Sequence, residues 1–303
     1  MNPAVEIIGV PMDLGANIRG ANMGPAAVRI ADLHKKITDL GYDVLDQGDV
    51  DVPVRETLSA SERNDHFLSS IVKINQKICQ RTYKALEAGH IPITIGGDHS
   101  LAIGSIAGAA KYFREQGKKI GLIWFDAHAD LNTQDTSPSG NIHGMPLAIT
   151  TGKGHPDLLA VGGASVRVSP KNIALIGIRS LDALERQTCK ESGIHCFTMR
   201  NIDEKGIMNT VKKAIDWALD GTEGIYVSFD VDGVDPAAAP GVSTPVTGGL
   251  SYREAHLALE LIADTKKFIG MDLVELNPAV DKNLKTARFA VELIQSVLGK
   301  AIL

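Results

Sequence analysis

The residues best suited to chemistry are two aspartates and a histidine that follow an apolar segment. Residues 120–125 are apolar and typical of a buried strand, and Asp126, His128 and Asp130 follow directly. On an extended chain this spacing of two places all three side chains on one face. No Lys or Arg occurs between residues 120 and 152. Because an unpaired buried charge costs on the order of several kcal/mol, we expect a metal cation here.

Three other predicted strands end in the same kinds of side chain. Asp230 and Asp232 follow one strand, His99 follows another, and Glu275 follows a third. The carboxyl ends of parallel strands share one edge of a sheet, where ligands bind. The negative charge of four aspartates would be balanced by two divalent ions, which together activate a bridging water for hydrolysis. Oxygen ligands with two imidazoles and no thiolate favour Mn²⁺ or Mg²⁺ over a structural zinc.

Eight predicted strands alternate with predicted helices along the whole chain. This alternation predicts a three-layer α/β fold, in which helices cover both faces of an open, mostly parallel eight-stranded sheet. Eight strands could also close into a barrel, but long connections and a weak sixth strand favour the open sheet. The predicted strands cover residues 5–12, 42–45, 91–95, 119–125, 172–178, 195–199, 224–229 and 268–274. The main predicted helices cover residues 25–40, 61–88, 100–116, 203–219, 251–264 and 282–298.

Composition indicates a single domain over residues 1–303 and excludes two classes of partner. The chain is 44% hydrophobic and has no linker-like tract, and its net charge of −5 is spread along its length. This pattern argues against a nucleic-acid surface. No run of about 18 apolar residues is present, so we expect no membrane span. The odd set Cys79, Cys189 and Cys196 lacks a C-x-x-C pair, which together with an N-terminus unlike a signal peptide indicates a cytoplasmic protein.

The polar residues near the acidic motifs indicate the kind of substrate. A phosphoester would require Arg or Lys close to the ligands, and the surrounding loops have none. Glu275 and Asp182 suit positive charge. Hydroxyls and an amide suit a carboxylate or another polar end, and they come from Asn132, Ser137, Ser139 and Thr244. The sequence therefore favours a small cationic substrate with a carboxylate elsewhere. The six histidines outside these loops, His34, His66, His90, His155, His195 and His256, are interpreted as structural or surface residues.

Four motifs resemble those of the ureohydrolase family, in the same order along the chain. They are Gly96-Gly97-Asp98-His99-Ser100, Asp126-Ala-His128-Ala-Asp130, Ser139-Gly-Asn-Ile-His143-Gly-Met-Pro146 and Ser228-Phe-Asp230-Val-Asp232-Gly-Val-Asp235-Pro236. The similarity extends from Gly9 to Pro278. The loop from Asn132 to His143 resembles the arginase branch more than the agmatinase or formimidoglutamase branches.

The resemblance implies a ligand set for two Mn²⁺ ions per subunit. One ion would be held by His99, Asp126, Asp130 and Asp230. The other would be held by His128, Asp126, Asp230 and Asp232. Asp126 and Asp230 would then bridge the two ions, and the fold would be the open eight-stranded sheet of that family.

The resemblance also implies the reaction. A hydroxide bridging the two metals would attack the guanidinium carbon of L-arginine, giving L-ornithine and urea. Asp130 would carry a proton toward the leaving amino group, and His143 would shuttle protons to and from solvent, as suits an imidazole. Glu275 would orient the guanidinium through a paired charge-assisted contact.

The amino-acid end of the substrate would be bound by residues of the surrounding loops. Asn132, Ser137 and Ser139 would contact the α-carboxylate, Asp182 would contact the α-amino group, and Thr244 would line the site. The family also implies a role in arginine metabolism, such as the urea cycle, and a trimer or hexamer. Two alternatives stay open: another ureohydrolase, acting on agmatine or a related guanidino compound, and an inactive arginine-sensing or scaffold protein.

Overall fold

The computed structural model describes residues 2–163 and 167–301, and within them eight parallel strands form one sheet. The strand order is β2-β1-β3-β8-β7-β4-β5-β6, with no pairing between the two end strands, so the sheet is open as predicted. The strands are β1 (Val5–Val10), β2 (Val44–Asp49), β3 (Ile91–Gly96), β4 (Gly121–Phe125), β5 (Ile173–Ile178), β6 (His195–Thr198), β7 (Ile225–Asp230) and β8 (Phe268–Val274).

Helices cover both faces of this sheet. Successive residues of β4 show the arrangement: Ile123 and Phe125 pack in one core cluster with α10–α12, whereas Leu122 and Trp124 pack on the opposite face with α5. The twelve helices of the described residues are α1 (Gly24–Ile30), α2 (Leu33–Thr38), α3 (Ala60–Asn64), α4 (Leu68–Glu87), α5 (Ala102–Glu115), α6 (Pro146–Thr151), α7 (Pro156–Leu159), α8 (Ala183–Glu191), α9 (Met199–Lys205), α10 (Ile207–Ala218), α11 (Tyr252–Asp264) and α12 (Lys285–Val297). The three-layer prediction is confirmed.

The strand predictions are accurate where the strand is central. Strands β1, β4, β5 and β7 are buried along their whole length, which explains their continuous apolar sequences. The edge strand β2 is mostly exposed and ends in polar residues. The predicted strand at residues 42–45 therefore captured only its first two positions, because an edge strand lacks the apolar signal.

Two long predicted helices are each divided in the structure. The predicted helix at residues 25–40 breaks at Asp32, and the one at residues 61–88 breaks at Phe67; both residues have a positive φ. Apolar residues continue at helical spacing across each break, so periodicity alone did not reveal it. The predicted helix at residues 203–219 likewise gives way to two helices that meet at Gly206.

The sheet topology brings together strand ends that are far apart in sequence. Strands β3, β8, β7 and β4 are consecutive neighbours, and they end next to His99, Glu275, Asp230 and Asp126 respectively. All four strands run in the same direction, so these residues meet at one edge. Among the described residues, no helix combines the length and hydropathy that crossing a membrane requires.

Candidate metal centre and active site

The first group of possible ligands surrounds His99. Its Nδ1 atom lies 3.1 Å from Asp130 Oδ2, 3.3 Å from Asp126 Oδ2 and 3.3 Å from Asp230 Oδ2. His99 and the three carboxylates are all buried. One imidazole nitrogen thus faces three carboxylates from two strand ends, and His99, Asp126 and Asp230 could together hold a metal ion.

The second group surrounds His128. Its Nδ1 atom lies 3.4 Å from Asp126 Oδ1 and 3.2 Å from Asp232 Oδ2. Because the two oxygens of Asp126 face different histidines, this carboxylate belongs to both groups. The geometry therefore brings all six predicted ligands into two adjacent groups that share one aspartate.

Tight turns at the strand ends hold these carboxylates in place. Asp126 Oδ1 accepts a hydrogen bond of 2.7 Å from the His128 backbone N–H, and Asp230 Oδ1 accepts one of 2.7 Å from Asp232 N–H. Aspartate commonly bonds the backbone two residues ahead in this way. Asp130 itself has a positive φ of 52°, an uncommon conformation for a residue with a side chain. The Asp-x-His and Asp-x-Asp spacings thus build the turns as well as supplying the ligands.

The electrostatics of both groups suit a bound cation. Burial and the neighbouring Asp126 charge raise the pKa of Asp130 to about 6, and burial with nearby carboxylates raises the pKa of Asp230 well above its usual range. Burial alone would lower the pKa of His99, but its three carboxylate neighbours raise it well above the ordinary value. The buried Nδ1 of His99 also has no hydrogen-bond partner among the described residues. Oxygen-rich, negatively charged donors of this kind fit divalent Mn²⁺ or Mg²⁺.

Glu275 lies directly beside the first group. Its Oε1 atom accepts a hydrogen bond of 2.9 Å from the His99 backbone N–H and lies 3.0 Å from His143 Nδ1. Its Oε2 atom is buried and has no hydrogen-bond partner within the described part of the chain. Burial by itself lowers the pKa of His143, but the bond and charge of Glu275 raise it to about 9. A free carboxylate oxygen therefore stands next to the ligands.

A cavity of about 170 Å³ opens over the two groups. Four of the predicted substrate residues line it, namely Asn132, Ser137, Ser139 and Thr244, together with His128, Asp130, His143, Asp230 and Asp232. Asp182 and Glu275, the other two predicted substrate residues, are not among the lining residues. Asp182 accepts a bond of 2.8 Å from Asn132 Nδ2 and caps the N-terminus of α8. Thr244 donates a bond of 2.9 Å to Asp232 Oδ2, so it also supports a ligand.

Comparison with known proteins shows the family of the chain. A model of the arginase family matches residues 3–299. The chain belongs to the arginase family. It is 45% identical to a protein named arginase from Bacillus subtilis, over all of both chains. It superposes on the solved arginase of Bacillus caldovelox with a TM-score of 0.95 at 42% identity, covering all of both chains. A structure titled as a hypothetical agmatinase from Burkholderia thailandensis is more distant, with a TM-score of 0.73 at 27% identity over 98% of this chain and 84% of the other.

One acidic residue in the cavity of this arginase-family chain was not predicted from the sequence. Glu185 lines the cavity and accepts a hydrogen bond of 3.2 Å from the Leu131 backbone N–H. Burial, reinforced by the charge of Asp130, raises its pKa to about 7. The available signal was its position one helical turn after Asp182 at the start of α8, which turns both side chains toward the same loop.

The remaining histidines of this chain lie outside both ligand groups. His90 Nδ1 pairs with Glu6 at 2.8 Å, and His256 Nδ1 is 2.8 Å from Ser296 Oγ. His195 stacks on Trp217 with ring centroids 3.6 Å apart. These contacts agree with the interpretation of such histidines as structural or surface residues.

Proposed function

We propose that the chain hydrolyses L-arginine to L-ornithine and urea with two Mn²⁺ ions per subunit. The observation that carries this proposal is the buried oxygen of Glu275 that has no hydrogen-bond partner and lies beside the ligand group of His99. A buried carboxylate oxygen without a donor favours a cationic group with N–H donors, and a guanidinium supplies both. The membership in the arginase family and the names of the relatives point to the same substrate.

Two sets of residues would hold the ions. When bound, the ions would lower the pKa of a water molecule and stabilise the negative charge that develops during hydrolysis. The shared position of Asp126 between His99 and His128 supports a dinuclear site. The proposed first set is His99, Asp126, Asp130 and Asp230, and the second is His128, Asp126, Asp230 and Asp232.

The protein would orient the two ends of the substrate with different groups. Glu275 would bind the guanidinium through its free oxygen, and its other oxygen is fixed by the His99 backbone and by His143. Asn132, Ser137 and Ser139 in the cavity lining would bind the α-carboxylate. Asp182, next to Asn132, would attract the α-amino group, and Thr244 would complete the cavity wall.

Two side chains would move protons. Asp130, whose pKa is about 6 through burial and the charge of Asp126, can take a proton from the nucleophile and pass it to the leaving amino group. His143 is partly exposed, and with a pKa of about 9 it holds a proton at neutral pH. It would therefore exchange protons between the cavity and solvent.

The first test is urea release after incubation with Mn²⁺, with L-arginine and agmatine assayed side by side. We expect urea from L-arginine, and its loss after treatment with a chelator. Urea from agmatine alone would retain the metal chemistry and overturn the assigned amino-acid contacts in favour of another ureohydrolase. No urea from either, with no bound Mn²⁺, would favour the inactive sensor or scaffold.

We propose further that this single-domain chain forms a trimer or hexamer in the cytoplasm. The sheet draws strands from residue 5 to residue 274, which supports one domain. The three free cysteines suit a reducing compartment. Light scattering coupled to gel filtration would give the subunit number, and a monomer at micromolar concentration would contradict the proposed assembly.

A further inference from the structure

A single carboxylate is buried in the sheet below the metal groups. Asp272 of β8 is fully buried, and no ion pair in the described part of the chain includes it. Hydroxyls of four residues surround it instead, and that of Thr94 comes from the neighbouring strand β3, where Thr94 lies opposite Asp272 in the register. Tyr226 Oη donates to its Oδ1 at 2.8 Å, while Ser105 Oγ and Ser228 Oγ approach its Oδ2 at 2.8 Å and 3.5 Å. Burying a charge among neutral donors is costly, which calls for a reason beyond packing.

The contact of 3.5 Å between Ser228 Oγ and Asp272 Oδ2 leads toward the metal centre. Ser228 Oγ also lies 2.9 Å from Nε2 of His99, the ring nitrogen opposite the one that faces the carboxylates. Asp272, Ser228 and His99 therefore form a continuous chain from the sheet interior to the ligand atom Nδ1. The ring of His99 is further held by stacking on Trp124, with centroids 4.2 Å apart.

The chemistry of this chain sets its direction. An ionised carboxylate can only accept hydrogen bonds, so in the contact between Ser228 and Asp272 the hydroxyl has to be the donor. The lone pairs of Ser228 are then left to accept from Nε2–H of His99. With its proton on Nε2, a neutral imidazole presents a lone pair at Nδ1, which is the form that binds a metal. Histidine ligands are commonly oriented by a carboxylate at the other ring nitrogen, and here one serine lies between them.

We propose that Asp272 is a positioning residue of the metal centre and that it acts on His99 through Ser228. It selects the tautomer whose Nδ1 binds the cation, and it fixes the plane of the ring. This inference rests on the metal binding in the proposed function, but not on the identity of the substrate. Burial raises the pKa of Asp272 to about 6, so the carboxylate is ionised at and above neutral pH.

The sequence contains a signal for this role that lies outside the four motifs. Asp272 is the only charged residue of the otherwise apolar β8. A lone acid inside a central strand has to be bonded by its neighbours, and Ser228 lies opposite it in the register of β7 and β8. The pairing brings a hydroxyl to the acid, and only the sheet order reveals it.

The test is a titration of the metal-stripped protein with Mn²⁺ alone. Electron paramagnetic resonance measures the concentration of free Mn²⁺ at each point of the titration. We expect Asp272→Asn to lower the affinity for one of the two Mn²⁺ ions by about 10- to 100-fold and to leave the affinity for the other nearly unchanged. Tyr226→Phe is the matched control, because it removes a buried hydrogen bond to the far oxygen of Asp272 and leaves the Ser228 contact intact. This variant should have a lower melting temperature, but its affinities for the two Mn²⁺ ions should stay within about threefold of the original values. The reason is that the effect on metal binding passes through the contact between Asp272 and Ser228.

A double-mutant cycle tests whether the effect passes through Ser228. In a Ser228→Ala background, Asp272→Asn should cause no further loss of affinity. A full additional loss in that background, or an unchanged affinity for Asp272→Asn alone, would overturn the inference. If Asp272→Asn does not fold, Ser228→Ala should weaken one ion while Ser228→Thr, which keeps the hydroxyl, should not. Wild-type protein that binds no Mn²⁺ at all would instead overturn the proposed function.

Discussion

The two ligand groups share Asp126, yet they are built in different ways. The side chain of His99 is 1% exposed, whereas that of His128 is 29% exposed at the cavity. The ring of His99 is fixed by core side chains, because it stacks on Trp124 and its Nε2 atom contacts Ser228. The segment of His128 is held by a backbone turn, because its own N–H bonds to Asp126.

This difference indicates that the two groups depend on different parts of the fold. The His99 group is an extension of the packed core, so changes in it should affect stability as well as metal binding. His128 itself lies in the loop after β4 and lines the cavity, so changes to it should affect metal binding and catalysis with less effect on stability.

Loss of the shared carboxylate should disable both groups at once. Asp126→Asn keeps the size of the side chain but removes the charge between His99 and His128. Since metal-assisted charge stabilisation is worth several kcal/mol, we expect a fall in kcat of about a thousandfold or more. Metal analysis after reconstitution should show both ions weakened. Asp235→Asn is the control, because Asp235 bonds backbone N–H groups of its own loop and lies outside both groups; its metal content should be unchanged.

The affinity for Mn²⁺ should fall as the pH is lowered. Burial and the charge of Asp126 raise the pKa of Asp130 to about 6, so below that pH a proton competes with the cation for this carboxylate. Each displaced proton weakens binding by about tenfold per pH unit below the pKa. Titrations at pH 5.5, 6.5 and 7.5, with circular dichroism to confirm folding, would test this. Because the pKa of His99 is also raised, protons compete for that ligand over the whole range, and the test for Asp130 is the steepness: an affinity that falls no more steeply below pH 6 than above it would contradict the assignment of Asp130 as a ligand.

The two histidines should differ in their effect on stability. His99→Asn breaks the bond to Ser228 and the stack on Trp124, and it should destabilise the metal-free protein by about 1–3 kcal/mol. His128→Asn should destabilise the metal-free protein by less, because this side chain is partly exposed and makes neither a ring stack nor a contact with Ser228, although it does lose its contacts with Asp126 and Asp232. It should nevertheless weaken one metal and reduce turnover far more than substrate affinity. Urea denaturation of both variants decides the comparison, and equal destabilisation would remove the distinction between the two groups.

The smallest expected effect concerns the amino-acid end of the substrate. Asp182→Ala should raise KM for L-arginine by about tenfold through loss of one charged contact, and should change KM for agmatine much less. Because Asp182 also caps α8, the variant should lose about 1 kcal/mol of stability. Thr198→Ala, which removes the cap of α9, is the matched control and should lose similar stability without any change in KM. Equal changes for both substrates would exclude Asp182 from specificity.

The sequence was most informative where local chemistry and function coincide. An apolar run followed by Asp-x-His-x-Asp predicts a buried strand, and the same residues build the turn that holds the ligands. The motif therefore predicted strand β4 and its site together. Central strands were found because burial on both faces leaves a continuous apolar signal. The short helices α6 and α7 were not predicted, because the segment after His143 carries no clear period.

The amino-acid sequence by itself determined the types of ligand, their charge and the alternation of strands and helices. These follow from residue identity and short-range spacing. Only the tertiary structure decided that β3, β8, β7 and β4 are neighbours, that Glu275 leaves one oxygen free, and that Asp272 reaches His99 through Ser228. The physical reason is that strand order and side-chain contacts join residues far apart in sequence, from 44 positions for Ser228 and Asp272 to 176 positions for His99 and Glu275. Such contacts arise from the packing of the whole chain rather than from any local pattern.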